Sequence, residues 1–329
     1  MSFKATQKGL ALLACTFLLS ACDISAIVVK GAAKTTAKGS IALEGHWDYD
    51  LATATMPNAI IQLEGMLVIV PDEPLIVTTL LRAYVGYTYA VVEDLAEVAE
   101  LKGEIEAADY QRERARYLYQ RAKDLGHYLL AMRADGMEEA MAEGVEAFEA
   151  WLAKNFDKKK DAEAILWAGY AWGNWINGSK DNMAAVADLP YVKAMVKHSV
   201  ALDDSIFYGA GYLFMAIIAT NEMGADLDAA RVLWDKAIAA NERRALLPIL
   251  NMGRFYAVKH GDRELFVDLM TEVIEAPDLL PEGRLSNMIS KRRAVRYLAQ
   301  VDDFFIPGGG DEDFEDDPAE EEGAAEETD

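Results

Sequence analysis

The run AEAILWAGYAWGNWINGSKDN (162–182), followed by DLPYVKAMVKHSVALDDS (188–205) and IFYGAGYLF (206–214), sets the fold class. At the ~100° per residue of an α-helix, Trp167, Trp172 and Trp175 fall within an arc of about 140°, so three indoles share one side. Gly169 and Gly173 lie one turn apart on another face, where absent side chains let a neighbouring helix approach. Ile206 to Ala219 is apolar or aromatic on every face, which in a helix of that length requires burial all round. Such a helix belongs inside a larger helical array. The aromatic residues read in two ways. They are core packing, the usual role of an aromatic stripe at helical spacing, or they wall an apolar cavity. In the second reading Trp167, Trp172 and Trp175 face Tyr208 and Tyr212, one turn apart on the next helix, and these five are the candidate ligand contacts.

The flanking sequence extends the helical reading. Pro71-Asp72-Glu73-Pro74 marks a helix start, with acidic residues expected in the first turn. It opens Leu75–Leu101, which carries Tyr84, Tyr87 and Tyr89. In 110–133, Ala115, Tyr119 and Ala122 stand at the spacing of the second helix of a tetratricopeptide repeat, where small residues admit the paired helix and the bulky one fills the gap. Similar triplets are Val192, Val196, Ser199; Ala230, Trp234, Ala237; and Phe266, Met270, Val273. The last members of these three recur at intervals of 38 and 36 residues, slightly above the ~34 of the standard repeat. The repeats are degenerate and lack the usual proline after the second helix. The expected fold is therefore all-α, a tetratricopeptide-like helix-pair array over residues 46–306. Arg284–Gln300 closes it, with Lys291, Arg292, Arg293 and Arg296 read as a solvated polar face.

The 329-residue chain is 52% hydrophobic and carries 55 acidic against 32 basic residues, a net charge of -23. That excess repels a polyanion, and no nucleic-acid partner is expected. Residues 1–22 read as a secretory signal: Lys4 and Lys8 precede the apolar run Leu10 to Leu19, which is far short of the ~20 residues a spanning helix needs. Its end, Leu19-Ser20-Ala21-Cys22, resembles a bacterial lipobox, in which Cys22 is acylated and becomes the new N-terminus. Cleavage there would remove Cys15 and leave no pair for a disulfide. The lipid anchor ties the protein to a bacterial membrane facing the periplasm, and Asp23 looks like an inner-membrane retention signal. Residues 23–45, with no convincing period, read as a tether. Residues 307–329 form an acidic tail, with twelve acidic and no basic residues in 311–329, expected to be disordered because it cannot bury enough apolar surface.

Catalytic and metal signatures are not found. His46, His127, His198 and His260 form no H-x3-H or HExxH pair, so no zinc site is indicated. There is no G-x-S-x-G turn and no phosphate-binding glycine loop. Asp203-Asp204 reads as a helix cap; a hydrolase using paired carboxylates would need two facing each other across a cleft at roughly 5 to 9.5 Å. Neither enzyme activity nor a cofactor is expected.

The ordered series Tyr84–Tyr89 with Ala90, then RARYLYQRAKDLGHYLL, ILWAGYAWGNWI, DLPYVKAMVKHSVALDDSIFYGAGYLF, AARVLWDKAIAAN, RLSNMISKRRAVRYL and DDFF, resembles the T-component lipoproteins associated with TRAP (tripartite ATP-independent periplasmic) transporters, from about Asp50 to Phe305. The resemblance implies a tetratricopeptide-like fold, a homotrimer, and a channel or cavity through each subunit. It also implies association with the periplasmic solute-binding P component and a hydrophobic, lipid-like small-molecule ligand. The charged segment Glu93–Asp109 and the acidic tail depart from the pattern. The rival expectation is an envelope scaffold whose concave repeat surface holds other proteins without a small ligand.

Overall fold

A computed structural model describes the backbone of residues 3–305 and the side chains of residues 24–305. The Cys22 side chain and the acidic tail lie outside what is described. Among the described residues all regular structure is helical. The order is α1 Phe3–Glu44, α2 Tyr49–Ile69, α3 Pro74–Tyr87, a π-turn Thr88–Glu93, α4 Asp94–Leu101, α5 Ile105–Ala131, α6 Met137–Glu143, α7 Val145–Asn155, α8 Ala162–Asn177, α9 Met183–Ala187 and α10 Leu189–Leu202. Then follow α11 Ala210–Asn221, α12 Leu227–Ala239, α13 Leu247–Asn251, a second π-turn Met252–Ala257, α14 Val258–His260, α15 Arg263–Glu275, α16 Arg284–Ala299 and α17 Val301–Phe304.

Helices pack in successive pairs: α8 against α5 and α10, α11 against α12, and α15 against α16. All twelve residues of the four triplets, from Ala115 to Val273, are buried, which fits helix-pair packing. The close approach at the α8 glycines is real. A Cβ on Gly169 would stand 3.2 Å from Val196 Cγ2 of α10, and one on Gly173 only 2.2 Å from Phe214 Cζ of α11. The stretch Pro74–Leu101 is long and apolar enough to cross a membrane. Its Ile76, Val77, Leu80 and Leu81 are instead fully buried at the centre of the core.

Four features depart from the sequence reading. Residues 24–44 are helical and lie against the body: Ala33 is buried, Ala26 and Val29 pack on the same core, and Lys30 pairs with Glu73 at 3.3 Å. The packed side is Ala26, Val29, Ala33 and Leu43, while Ile24, Ile27, Val28 and Ile41 are exposed, so the large apolar residues do not mark the buried face. Asp72 and Glu73 precede the first turn of α3 rather than occupying it, Glu73 being the N-cap residue. The apolar run 206–219 is two elements, because Phe207 (φ 45°), Tyr208 (φ 62°) and Gly209 (φ 85°) are left-handed and break the helix before Ala210. Finally, Arg293 and Arg296 of α16 are buried, 4% and 9% exposed, and not on a solvated face. They reach the acidic residues of α4 and the turn before it.

Candidate functional site

A cavity of about 1730 Å³ opens among α1, α2, α3, α5, α8, α11, α13 and α16, well above the ~300–1,000 Å³ of a typical small-molecule pocket. Its walls are mostly apolar. Trp167 and Tyr170 come from α8, Phe214 from α11, Val85 from α3 and Ile289 from α16. Trp167 meets Phe207 edge-on at 5.2 Å, and Tyr170 lies 4.6 Å from Phe214. The Tyr170 hydroxyl donates to the Ala210 carbonyl at 3.0 Å, and burial pushes its pKa up.

The left-handed pair Phe207–Tyr208 aims two rings at this cavity, since both residues line it. A non-glycine residue in that conformation costs about 1–3 kcal/mol, so neighbours must hold it there. Asp203 accepts from Ser205 N at 3.2 Å and Ser205 Oγ at 2.7 Å just before the turn, and Asn241 Nδ2 donates to the Tyr208 carbonyl at 3.1 Å after it. Asp203 thus caps this short turn rather than α11. Gly209 finishes the turn, where a Cβ would stand 2.6 Å from Ala240 Cβ.

The polar groups of the lining are paired in a definite pattern. Arg82 donates to Glu44 at 2.9 Å and Glu163 at 3.1 Å, with its guanidinium 5.5 Å from the Trp167 ring centre. Arg112 pairs with Glu100, Arg116 reaches Glu113 at 3.9 Å, and Glu222 takes Lys193. At another part of the wall Arg293 lies 4.0 Å over the Tyr89 ring, 3.3 Å from Glu97 and 3.7 Å from Glu93. Tyr119 donates to Glu93 at 2.7 Å, yet burial raises that carboxyl's pKa. The Tyr89 hydroxyl makes no hydrogen bond of normal geometry, with the Asn251 carboxamide beside it, and burial pushes its pKa up to about 12. Both π-turns feed the cavity: the first supplies Tyr89 and Glu93, the second Arg254 and Phe255. A π-turn shifts the register of the side chains around the helix, a device common at functional positions.

Of the five aromatic candidates, Trp167 and Tyr208 line the cavity; Trp172, Trp175 and Tyr212 do not. Trp172 is fully buried in a second hydrophobic core, separate from that around α3 and formed with Leu130, Phe148, Ile165 and Val196, edge-on to His127 at 4.5 Å and stacked on Tyr191 at 6.1 Å. Five residues of helix turn it about 140° from Trp167, enough to send it to the opposite side of α8. Trp175 is half-buried beneath the Lys123 ammonium, 3.8 Å from its ring centre. Tyr212 donates to Asp204 at 3.2 Å, away from the cavity, because the break at Phe207–Gly209 separates it from Tyr208. Residues absent from the candidates include Tyr170, Phe207, Phe214, Arg82, Tyr89, Arg254 and Arg293. Tyr170, Phe207 and Phe214 carry a signal as further aromatics of the opening stretch, and Tyr89 as one of the tyrosines of 75–101.

His127, beside Trp172, yields a pH prediction. Burial first, and the Lys123 charge second, lower its pKa from 6.5 to about 4. A base whose folded pKa lies below its unfolded value contributes stability above the unfolded pKa and loses it as pH falls from about 6.5 to about 4. The drop in unfolding free energy over that window should be smaller for His127→Gln than for the native chain, by on the order of 2 kcal/mol. Equal drops in parallel denaturant titrations would show that His127 charges without penalty.

Among the described residues no group of three or more His, Cys, Asp or Glu side chains is placed to hold a metal ion. No curated protein matches the chain. A family profile described as "TRAP transporter T-component" matches residues 45–305. The match spans every helix from α2 to α17, including all the cavity walls except α1. With most of its length matched, the chain belongs to the TRAP transporter T-component family.

Proposed function

We propose that the protein is a lipid-anchored periplasmic subunit that binds a hydrophobic small molecule or lipid in its central cavity and works with the solute-binding P component. The family makes it an accessory component of a TRAP transporter at a bacterial membrane, and it is a transport family rather than an enzyme family. The observation that carries the ligand reading is the cavity itself: about 1730 Å³ walled by Trp167, Phe207, Phe214 and other apolar side chains. A protein-binding scaffold needs a packed core beneath its concave surface and has no use for such a void, which forfeits dispersion contacts. The anchor is proposed at Cys22 on the strength of its lipobox.

Self-association as a homotrimer is part of the same proposal. Leu51, Ile61 and Val68 of α2 are 55%, 69% and 84% exposed, and Ile24, Ile27 and Val28 of α1 are similarly open. An exposed apolar face of this kind supports contact with another surface.

The ligand reading is tested by native mass spectrometry and lipid extraction of the purified chain, with Trp167→Ala and Phe207→Ala as variants. Co-purifying lipid is expected in the native chain and at least severalfold less in both variants. Their stability loss should fall below the ~3–5 kcal/mol of a fully packed aromatic, since one side of each ring faces the void. Undiminished lipid in both variants would remove these residues from the site, and no lipid in the native chain would count against the ligand reading.

A further inference from the structure

We propose that the cavity takes an anionic amphiphile, a long acyl chain ending in a carboxylate or phosphate, and that Arg254 binds its head group. The inference rests on the ligand reading above and names the ligand's class.

The charge pattern of the lining carries it. The six acidic lining residues, Glu44, Glu93, Glu97, Glu100, Glu163 and Glu222, each have a basic partner within 4.0 Å. The lining bases are not matched in the same way. Arg82, Arg112, Arg116 and Arg293 have carboxylate partners, Lys180 is exposed on the loop after α8, and Arg254 has no carboxylate and no hydrogen bond among the described residues. Its guanidinium is held only by rings, 4.4 Å from the Phe304 centre, 5.7 Å from Tyr297 and 5.8 Å from Phe255. Ring faces offer a guanidinium about 0.5–2 kcal/mol and accept none of its N–H bonds. Five donors in a planar fork therefore remain for an anion, which they match in pairs.

The surroundings define the rest of the ligand. Leu213, Ile217, Leu247 and Phe255 belong to the same apolar cluster as the rings around Arg254, and all four line the cavity. A hydrocarbon chain can lie along them while its head reaches the guanidinium. The low-dielectric wall strengthens that pairing relative to water. A small free anion gains nothing from the apolar lining, and a chain of net charge -23 repels any anion, so contact of the hydrocarbon chain with the lining is needed to offset that repulsion.

The test titrates the delipidated full chain calorimetrically with oleate, oleyl phosphate and oleyl alcohol, which share one hydrocarbon chain. Oleate or oleyl phosphate should bind at least tenfold more tightly than the alcohol, and the tighter of the two identifies the head group as carboxylate or phosphate. Arg254→Gln should abolish that preference and leave the alcohol's affinity unchanged, while Arg254→Lys should keep most of it. Among the described residues Arg254 makes no ion pair, so Arg254→Gln should lose only its ring contacts and stay folded, as a melting curve would show, while Arg254→Lys keeps the cation over the rings. An alcohol bound as tightly as both acids by the native chain, or a preference that survives in Arg254→Gln, would overturn the anion assignment and leave the apolar cavity reading standing. Failure of all three to bind the native chain would instead defeat the ligand reading, and the assignment with it.

Discussion

Trp172→Ala should cost the protein about 3–5 kcal/mol of unfolding free energy, the range for deleting a large aromatic from a packed core. Trp172 is 0% exposed, with His127 against its edge and Tyr191 against its face. Among the described residues its Nε1–H has no hydrogen-bond partner, so the loss comes from packing and transfer rather than from a broken polar contact. The side chain lies in the second core cluster with Leu130, Ile176 and Val196, outside the cavity lining, and co-purifying lipid should stay at the native level. Denaturant unfolding of the variant measures the first quantity and lipid extraction the second. A loss below about 1 kcal/mol together with depleted lipid would move Trp172 into the ligand site.

The Arg293 substitution has the other large expected effect. Arg293→Leu removes the cation that stands 3.3 Å from Glu97 and 3.7 Å from Glu93 and donates to the Tyr89 carbonyl at 2.6 Å. Breaking a buried ion pair from one side costs about 3–5 kcal/mol, because the remaining charge stays buried without compensation. Glu97 retains Arg296 as a partner, whereas Glu93 keeps only the Tyr119 hydroxyl. Burial already raises the Glu93 pKa while Arg293 lowers it, so loss of the arginine should raise it further. A carboxyl whose folded pKa lies above its unfolded value destabilises at high pH, and the penalty disappears as pH falls below the folded pKa. The deficit of Arg293→Leu should therefore be larger at pH 7 than at pH 5, and Glu93→Gln in the same chain should recover part of it at pH 7. A deficit that is small, or independent of pH, would mean that solvent in the cavity already screens Glu93.

How far the site could be read from sequence differs from wall to wall. Trp167 was legible because it belongs to an aromatic stripe on an apolar helix. Helical phase alone could not separate it from Trp172, since both sides of α8 are buried, one against the cavity and the other against α5 and α10. Tyr208 was legible as a residue and not as a geometry: its helix partner Tyr212 is turned away by three left-handed residues, of which only Gly209 carries a local signal. Arg254 and Tyr89 sit in π-turns, and an extra residue per turn leaves no mark on an apolar period of 3.6.

The amino-acid sequence by itself determined the helical class, the close approach at Gly169 and Gly173, and the family. These follow from local periodicity and volume, which act within one or two helices. Tertiary structure alone decided that residues 24–44 lie against the body, that Arg293 and Arg296 are buried against Glu93, Asp94 and Glu97 some two hundred residues away, and that a cavity remains where the helices fail to meet. An ion pair depends on which helices become neighbours and a cavity on the volume left between many of them, and neither quantity is a property of any single stretch of chain.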